Sequence, residues 1–140
     1  MRTSTPRERI RTEAQRRGER TFTRDCTRLL SGRSVDPELI VVLGGAPARW
    51  AVAGGEPGPD YWLRVWAARG LLWQWNDTAT PAIRQALSDD AWRVREMALK
   101  VVRRHRVDAA LPEVLALRDD SVRRVRIAAD KAVSALTSAG

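Results

Sequence analysis

The feature that most constrains this chain is an internal repeat of 31 residues, which begins after residue 46. Four positions recur in three copies at this spacing: Leu63, Arg64, Ala67 and Leu71, then Val94, Arg95, Ala98 and Val102, then Val125, Arg126, Ala129 and Val133. The same offset relates Pro81 to Pro112 and Asp89 to Asp120. Agreement in residue type at so many positions indicates a repeated structural unit.

Each repeat contains two segments with helical periodicity, separated by an acidic turn. In the middle repeat, apolar residues at helical spacing predict a first helix that carries Ile83 and a second helix from Ala91 to about Arg104. One helical hairpin cannot enclose its own apolar face, whereas stacked hairpins bury a continuous core. The repeat therefore predicts an all-α fold.

These residues resemble the HEAT repeat family, in particular its short repeats of the phycobilisome-lyase type, over residues about 46–138. The second and third units carry the whole family pattern of a proline, an aliphatic, an aspartate, an aliphatic–arginine pair, an alanine and an aliphatic: Pro81, Ile83, Asp89, Val94, Arg95, Ala98 and Val102, and Pro112, Val114, Asp120, Val125, Arg126, Ala129 and Val133. The first unit departs, because Trp50 replaces the proline and Gly58 the aspartate. The resemblance implies a short right-handed α-solenoid of about three stacked helical hairpins, with an N-terminal helical extension.

The net charge of +8 is concentrated at the N-terminus, where residues 1–33 carry ten arginines and four acids. Composition therefore predicts a basic arm over residues 1–33, partly disordered or helical, and a HEAT-like repeat domain over residues 34–140. The expected units of that domain are about 46–75, 76–107 and 108–138. Arginine makes up 23 of the 25 basic residues, a bias that fits GC-rich coding sequence as well as phosphate recognition.

Single copies of cysteine and histidine argue against metal chemistry, because zinc and diiron sites draw several ligands from such side chains. We expect no metal, no cofactor and no catalytic residue. With Cys26 alone no intramolecular disulfide forms, and the sequence shows neither an apolar signal region nor a membrane-spanning stretch. A cytoplasmic protein is the expectation. His105 is expected to cap the C-terminus of its own helix.

In HEAT-like stacks the motif aspartate and arginine pair between neighbouring units. The resemblance therefore implies a structural ladder that contains Asp89, Arg95, Asp120 and Arg126, and a catalytic carboxylate–arginine pair is the alternative. Gly58 interrupts this pattern in the first unit. Arg64 is consequently expected to lack its partner or to use another, such as Asp60.

The outward face of the second helices is the expected place of function. Helical geometry puts Arg69, Lys100 and Lys131 in one row, and puts Arg93 and Arg124 in a second row beside Trp62. Since second helices line the concave surface in HEAT-like folds, these rows would form a basic groove for an acidic protein segment or a phosphate backbone. The alternative is a charged face that only keeps the protein soluble.

The second helix of the first unit is apolar nearly all round, so something must cover it. One candidate is the N-terminal part of the chain, including the helix predicted at Leu39–Leu43 and Trp50. The other is a partner or a second copy of the chain, which would form a homodimer through the Trp-rich end. The candidate partner-binding residues are therefore Arg69, Arg93, Lys100, Arg104, Arg124, Lys131, Trp62, Trp66 and Trp73.

Three functions follow in order of preference. The first is a non-enzymatic interaction or scaffold module, which binds a protein or peptide of acidic character through its concave or Trp-rich face. The second is a nucleic-acid-binding protein that uses the arginine-rich arm and the basic rows. A distant third is a DNA glycosylase, because HEAT-like alkylpurine glycosylases also present Trp, Asp and Arg on a concave surface. This chain has about half the repeats that such a groove requires.

Overall fold

A computed structural model describes residues 4–138, and every regular element in that range is helical. In chain order the α-helices are α1 (Pro6–Arg17), α2 (Glu19–Leu30), α3 (Pro37–Gly44), α4 (Trp50–Ala53), α5 (Tyr61–Trp73), α6 (Thr80–Ala86), α7 (Trp92–His105), α8 (Leu111–Ala116) and α9 (Arg123–Thr137). Short 3₁₀ turns lie at Ala46–Ala48, Asp77–Ala79, Asp108–Ala110 and Leu117–Asp119. The prediction of an all-α repeat fold is confirmed.

The repeated pattern forms stacked hairpins. Helices α6 and α7 make one hairpin, α8 and α9 make the next, and the second helices α5, α7 and α9 pack on one another in succession. The motif aliphatic and alanine of each second helix are buried, as Val94 and Ala98 in α7 and Val125 and Ala129 in α9. Each hairpin therefore encloses the apolar face of its neighbour, as the repeat predicted.

Helix α3 contains the segment predicted to be helical at Leu39–Leu43, and it begins with a capped first turn. The side chain of Asp36 accepts a hydrogen bond of 3.0 Å from the amide of Glu38, and Pro37 occupies the first helical position. The helix ends at Gly44, and Gly45 follows with a φ of 71°. Helix α3 then packs against α1 and α5, which places it over the first repeat.

The N-terminal helices belong to the same core. Ile10 and Ala14 in α1, and Phe22 and Cys26 in α2, are fully buried. Helix α2 crosses α5 so closely that a Cβ at Gly70 would lie 2.6 Å from the Cys26 sulfur. The core runs without a break across residue 33, so the division drawn there from charge does not coincide with a gap between two packed bodies.

Candidate interaction surface

The repeated arginines and aspartates form a ladder that ties each layer to the next. Arg64 Nε lies 2.7 Å from Asp89 Oδ2, and Arg95 Nε lies 2.8 Å from Asp120 Oδ2. Each carboxylate also accepts a backbone amide two residues ahead, Ala91 or Val122, both at 2.9 Å, just before the following helix begins. The predicted pairing between neighbouring units is confirmed.

The ladder shifts the pKa values of Asp120 and Arg64. Burial disfavours the carboxylate of Asp120, but hydrogen bonds from Arg95 and the Val122 amide outweigh that penalty and lower the pKa of Asp120. The hydrogen bond to Asp89 is the main reason why the pKa of Arg64 is raised. Both carboxylates are thus fully engaged in holding helices together.

The expectation that Gly58 leaves Arg64 without its ladder partner was wrong. Arg64 and Arg95 each pair with the aspartate of the following unit, so Arg64 uses Asp89, and the expected alternative Asp60 is a second, longer contact at 3.8 Å. Arg126 has no following unit within residues 4–138 and donates to the Asp120 carbonyl at 2.8 Å. The glycine therefore removes a partner from the layer before α5 and leaves Arg64 unaffected.

Aromatic rings and guanidinium groups alternate along the ends of the second helices. The Arg93 guanidinium lies 5.4 Å from the Trp62 ring and 4.4 Å from the Trp92 ring. The Arg124 guanidinium lies 5.0 Å from the same Trp92 ring. Arg93 therefore lies beside Trp62, as helical geometry predicted, whereas the ring that Arg124 contacts is that of Trp92. The row runs from α5 over α7 to α9, and each contact adds a modest attraction.

Trp92 is the member of this row that sequence reasoning did not select as a binding residue. It is half-buried at the start of α7. The signal that could have identified it is its place beside Arg93, at the position where the first unit has Tyr61.

A groove of about 240 Å³ lies between α7 and α9. Its lining combines apolar and basic side chains with one glutamate: Glu96, Leu99, Lys100, Arg103, Arg124, Ile127, Ala128 and Lys131. Lys100, Arg103 and Lys131 are exposed and make no ion pair with any residue between 4 and 138. Arg124 differs, because its Nε lies 3.0 Å from the Glu96 carboxylate. We name this set of eight residues the α7–α9 groove.

Arg69 does not lie in this groove. Helical geometry placed it in one row with Lys100 and Lys131, but its side chain is half-buried and donates to the carbonyl oxygen of Leu43 at the end of α3. The reason is that α3 covers the face of α5 from which Arg69 projects. The basic row therefore contains two of its three expected members.

The tryptophans of α5 are largely engaged within the protein. Trp66 is 6% exposed, and its ring stacks against that of Trp62 with the centroids 6.3 Å apart. Trp73 lies between the guanidinium groups of Arg7 and Arg104, at 5.0 and 4.7 Å. The N-terminal part of the chain thus covers most of this helix, which was the first of the two candidates for that role.

A family model for HEAT repeats matches residues 55–134, more than half of the 140 residues. The chain belongs to the HEAT repeat family. No curated protein matches the chain, and no solved structure matches it either. The match begins before α5 and ends in α9, so helices α1 to α3 lie outside it. HEAT repeats generally mediate protein interactions or act as scaffolds, and the phycobilisome-lyase subtype stays a prediction.

Two observations concern the side chains that could bind a metal ion or act as a nucleophile within residues 4–138. No group of three or more His, Cys, Asp or Glu side chains in that range is placed to hold a metal ion. Burial raises the pKa of the Cys26 thiol well above its ordinary value, which disfavours the reactive thiolate. In the same part of the chain, no helix has the length and apolar character needed to cross a bilayer.

Proposed function

We propose that this HEAT repeat protein is a non-enzymatic interaction module that binds an acidic segment of a partner protein in the α7–α9 groove. The observation that carries the proposal is the combination of Lys100, Arg103 and Lys131, which make no ion pair within residues 4–138, with accessible apolar surface at Ala128 and Ile127. Apolar contact supplies affinity, and cations at the rim attract and orient an acidic segment.

The neighbouring row of rings and guanidinium groups supports the same partner. Arg93 and Arg124 are held in place by Trp62 and Trp92, so little side-chain entropy is lost when they meet a carboxylate. Arg124 is already paired with Glu96, and a bound acidic segment would compete with that glutamate. Exposed Ile127 provides an apolar contact beside it.

Nucleic-acid binding is the alternative, and the structure weakens its main argument. Much of the positive charge of the N-terminal segment is engaged locally, because Arg16 and Arg17 bind Glu13 at 2.6 and 2.8 Å. Arg9 donates to the Val42 carbonyl at 3.1 Å and Arg11 to that of Trp73 at 3.2 Å. Fewer cations than the net charge indicates are therefore available to phosphates.

The proposal is tested with an array of fluorescent 15-residue peptides, each rich in Asp and Glu with Leu or Phe at varied positions. Fluorescence anisotropy should detect saturable binding of some acidic peptides and none of their Asn and Gln counterparts. The double variant Lys100→Glu/Lys131→Glu should weaken that binding by about tenfold or more, because two attractive charges become repulsive.

The matched control is Arg20→Glu/Arg28→Glu, which makes the same change in net charge on α2, where both side chains are exposed. This variant should bind the peptides within about twofold of the wild type, since only the groove is specific. Equal losses in the two variants, or no acidic peptide bound by the wild type, would contradict the groove proposal. Binding of a 20-base-pair DNA duplex that depends steeply on salt, and that is lost only in the control variant, would favour the alternative.

Two further expectations remain predictions. A homodimer through the Trp-rich end would have to use the accessible parts of Trp62 and Trp50, because Trp66 is buried and Trp73 lies between two arginines. Light scattering at rising protein concentration measures this directly. The cytoplasmic location rests on the lone cysteine, which forms no intramolecular disulfide.

A further inference from the structure

A second cavity, distinct from the α7–α9 groove, opens where α3 and the segment before α5 meet α5. Its volume is about 680 Å³, and it shares no lining residue with the groove. The walls are mainly aromatic rings and prolines: Trp50, Trp62, Trp66, Pro47, Pro57 and Pro59. We name this cavity the Trp cleft. Its size and apolar lining fall in the range of small-molecule sites.

One cation lines this apolar cleft, and its charge has no counter-ion. Arg69 makes no ion pair with any residue of the described range 4–138, and its hydrogen-bonding partner there is the Leu43 carbonyl. Its buried Nε has no acceptor. A guanidinium group has five N–H donors, so most of its hydrogen-bonding capacity is unused. Burial, together with the nearby charge of Arg9, lowers the pKa of Arg69.

A half-buried cation without a counter-ion is unfavourable, and an anion that reaches it gains a strong interaction. We propose that the Trp cleft binds a small organic carboxylate with an aromatic-sized apolar body. The tryptophan rings and prolines surround the apolar body, and the Arg69 guanidinium binds the carboxylate. The carboxylate must lie at the Arg69 end, because the Asp60 side chain at the rim is negative and 87% exposed.

A purely structural role for Arg69 makes a different prediction. The C-terminus of α3 is also approached by Arg9, whose Nε donates to the Val42 carbonyl at 3.1 Å, so both arginines complement the helix dipole. Arg9 does not line the Trp cleft. If capping α3 were the only role of Arg69, the two arginines would be equivalent in any measurement of ligand binding.

The probe pair is 1-naphthylacetate and its neutral amide, 1-naphthylacetamide, which share the apolar body and differ in charge. Isothermal titration calorimetry with the full chain should show saturable binding of the acid and binding at least about tenfold weaker for the amide, as expected for a charge-assisted hydrogen bond. Equal affinity of the two compounds, or no binding of the acid, would overturn the proposal.

Three variants locate the site. Arg69→Gln should abolish the preference for the acid over the amide, whereas the matched control Arg9→Gln should retain it. Gly58→Leu should weaken the binding of both compounds, because the leucine side chain would occupy part of the cleft that Gly58 lines. A Cβ at this position would face the Trp62 ring at 4.0 Å and would meet no closer atom. This exposed position has an ordinary backbone conformation, so the variant keeps the test valid if Arg69→Gln fails to fold.

The source of the carboxylate is tested with acetyl-Gly-Trp, with a free C-terminus or as its amide. Binding of 1-naphthylacetate that is as tight as that of the peptide acid, or tighter, supports a small organic ligand. A peptide acid that binds at least about tenfold more tightly would overturn that assignment, because the cleft would then recognise a chain terminus. Loss of the acid preference in Arg9→Gln as well as in Arg69→Gln would reduce Arg69 to a helix cap. The α7–α9 groove proposal stands or falls separately, since its variants do not touch this cleft.

Discussion

Several arginine side chains in this protein act as structural hydrogen-bond donors and not as free surface charges. Arg9, Arg11 and Arg69 donate to carbonyl oxygens at or near helix ends, where the last carbonyls have no partner within the helix. Arg7 and Arg104 lie against the ring of Trp73. Fewer positive charges are therefore free at the surface than the net charge implies. The exposed Lys100 and Lys131 are consequently stronger candidates for contact with an acidic partner.

His105 shows the same use of a polar side chain and corrects its predicted role. It was expected to cap its own helix, but its Nε2 lies 3.1 Å from the Leu71 carbonyl and 2.9 Å from that of Leu72, near the end of α5. The imidazole ring stacks on Trp75 with the centroids 5.2 Å apart. Burial lowers the pKa of His105 more than the two carbonyl contacts raise it.

This environment predicts a loss of stability in mild acid. Because the folded-state pKa lies below the unfolded value of 6.5, the contribution of His105 to stability is present above pH 6.5. It is lost as the pH falls toward the folded-state pKa. Between pH 7.5 and 5.5 the loss has an upper limit of about 1.4 kcal/mol, and solvent at the half-buried ring lowers it further. Urea denaturation of the wild type and His105→Gln at both pH values measures it, and an equal pH dependence in the two proteins would contradict the assignment.

Among the elements, the hairpins are joined by the Arg–Asp ladder as well as by apolar packing. The Asp120 side chain is 7% exposed and binds both α7, through Arg95, and the start of α9, through the Val122 amide. The pair Arg118–Asp130 offers a contrast, since its side chains are 53% and 65% exposed at 3.3 Å. Burial, and not ion pairing alone, decides which of these pairs stabilises the stack.

Truncation of Asp120 and of Asp130 compares the contribution of a buried ion pair to stability with that of an exposed one. Asp120→Ala should lower the free energy of unfolding by about 3 kcal/mol, because it leaves the Arg95 charge without its partner in a buried place. Asp130→Ala should change it by about 0.5 kcal/mol or less. Urea denaturation monitored by circular dichroism gives both values. Similar effects of the two variants would mean that the ladder adds little beyond the apolar contacts.

The sequence predicts the elements better than it predicts their surroundings. The period of 31 residues predicted the hairpins. The family resemblance implied that Arg and Asp pair between neighbouring units, but it did not identify the partner of each arginine, as the wrong expectation for Arg64 shows. The period carries no information on α1, α2 and α3, which lie outside it. The place of Arg69 could not be predicted for that reason, because it is decided by α3 covering α5, and Trp50 came to line the Trp cleft in the same way.

At the scale of the whole molecule, the N-terminal helices act as the first layer of the stack. Helix α2 packs on α5, on which α7 also packs, so the row of neighbouring helices begins before the matched repeats. The terminal layers of a solenoid need a polar outer face. Helix α1 meets that need, because its exposed positions are all polar or charged, with Arg7, Arg11 and Arg16 among them, and its inner positions include Ile10 and Ala14. The N-terminal charge is thereby explained in part by the position of α1 at one end of the stack.

A single buried side chain tests whether this layer and the repeats unfold together. All six tryptophans lie between residues 50 and 92, so their fluorescence reports on the repeats, whereas Phe22 lies in α2 and is fully buried. Phe22→Ala should lower the free energy of unfolding by about 4 kcal/mol, and the fluorescence and circular dichroism transitions should shift together. The exposed Arg20→Ala on the same helix should change it by less than about 0.5 kcal/mol. A fluorescence transition that does not move in Phe22→Ala would show that residues 1–33 form an arm with a stability of its own.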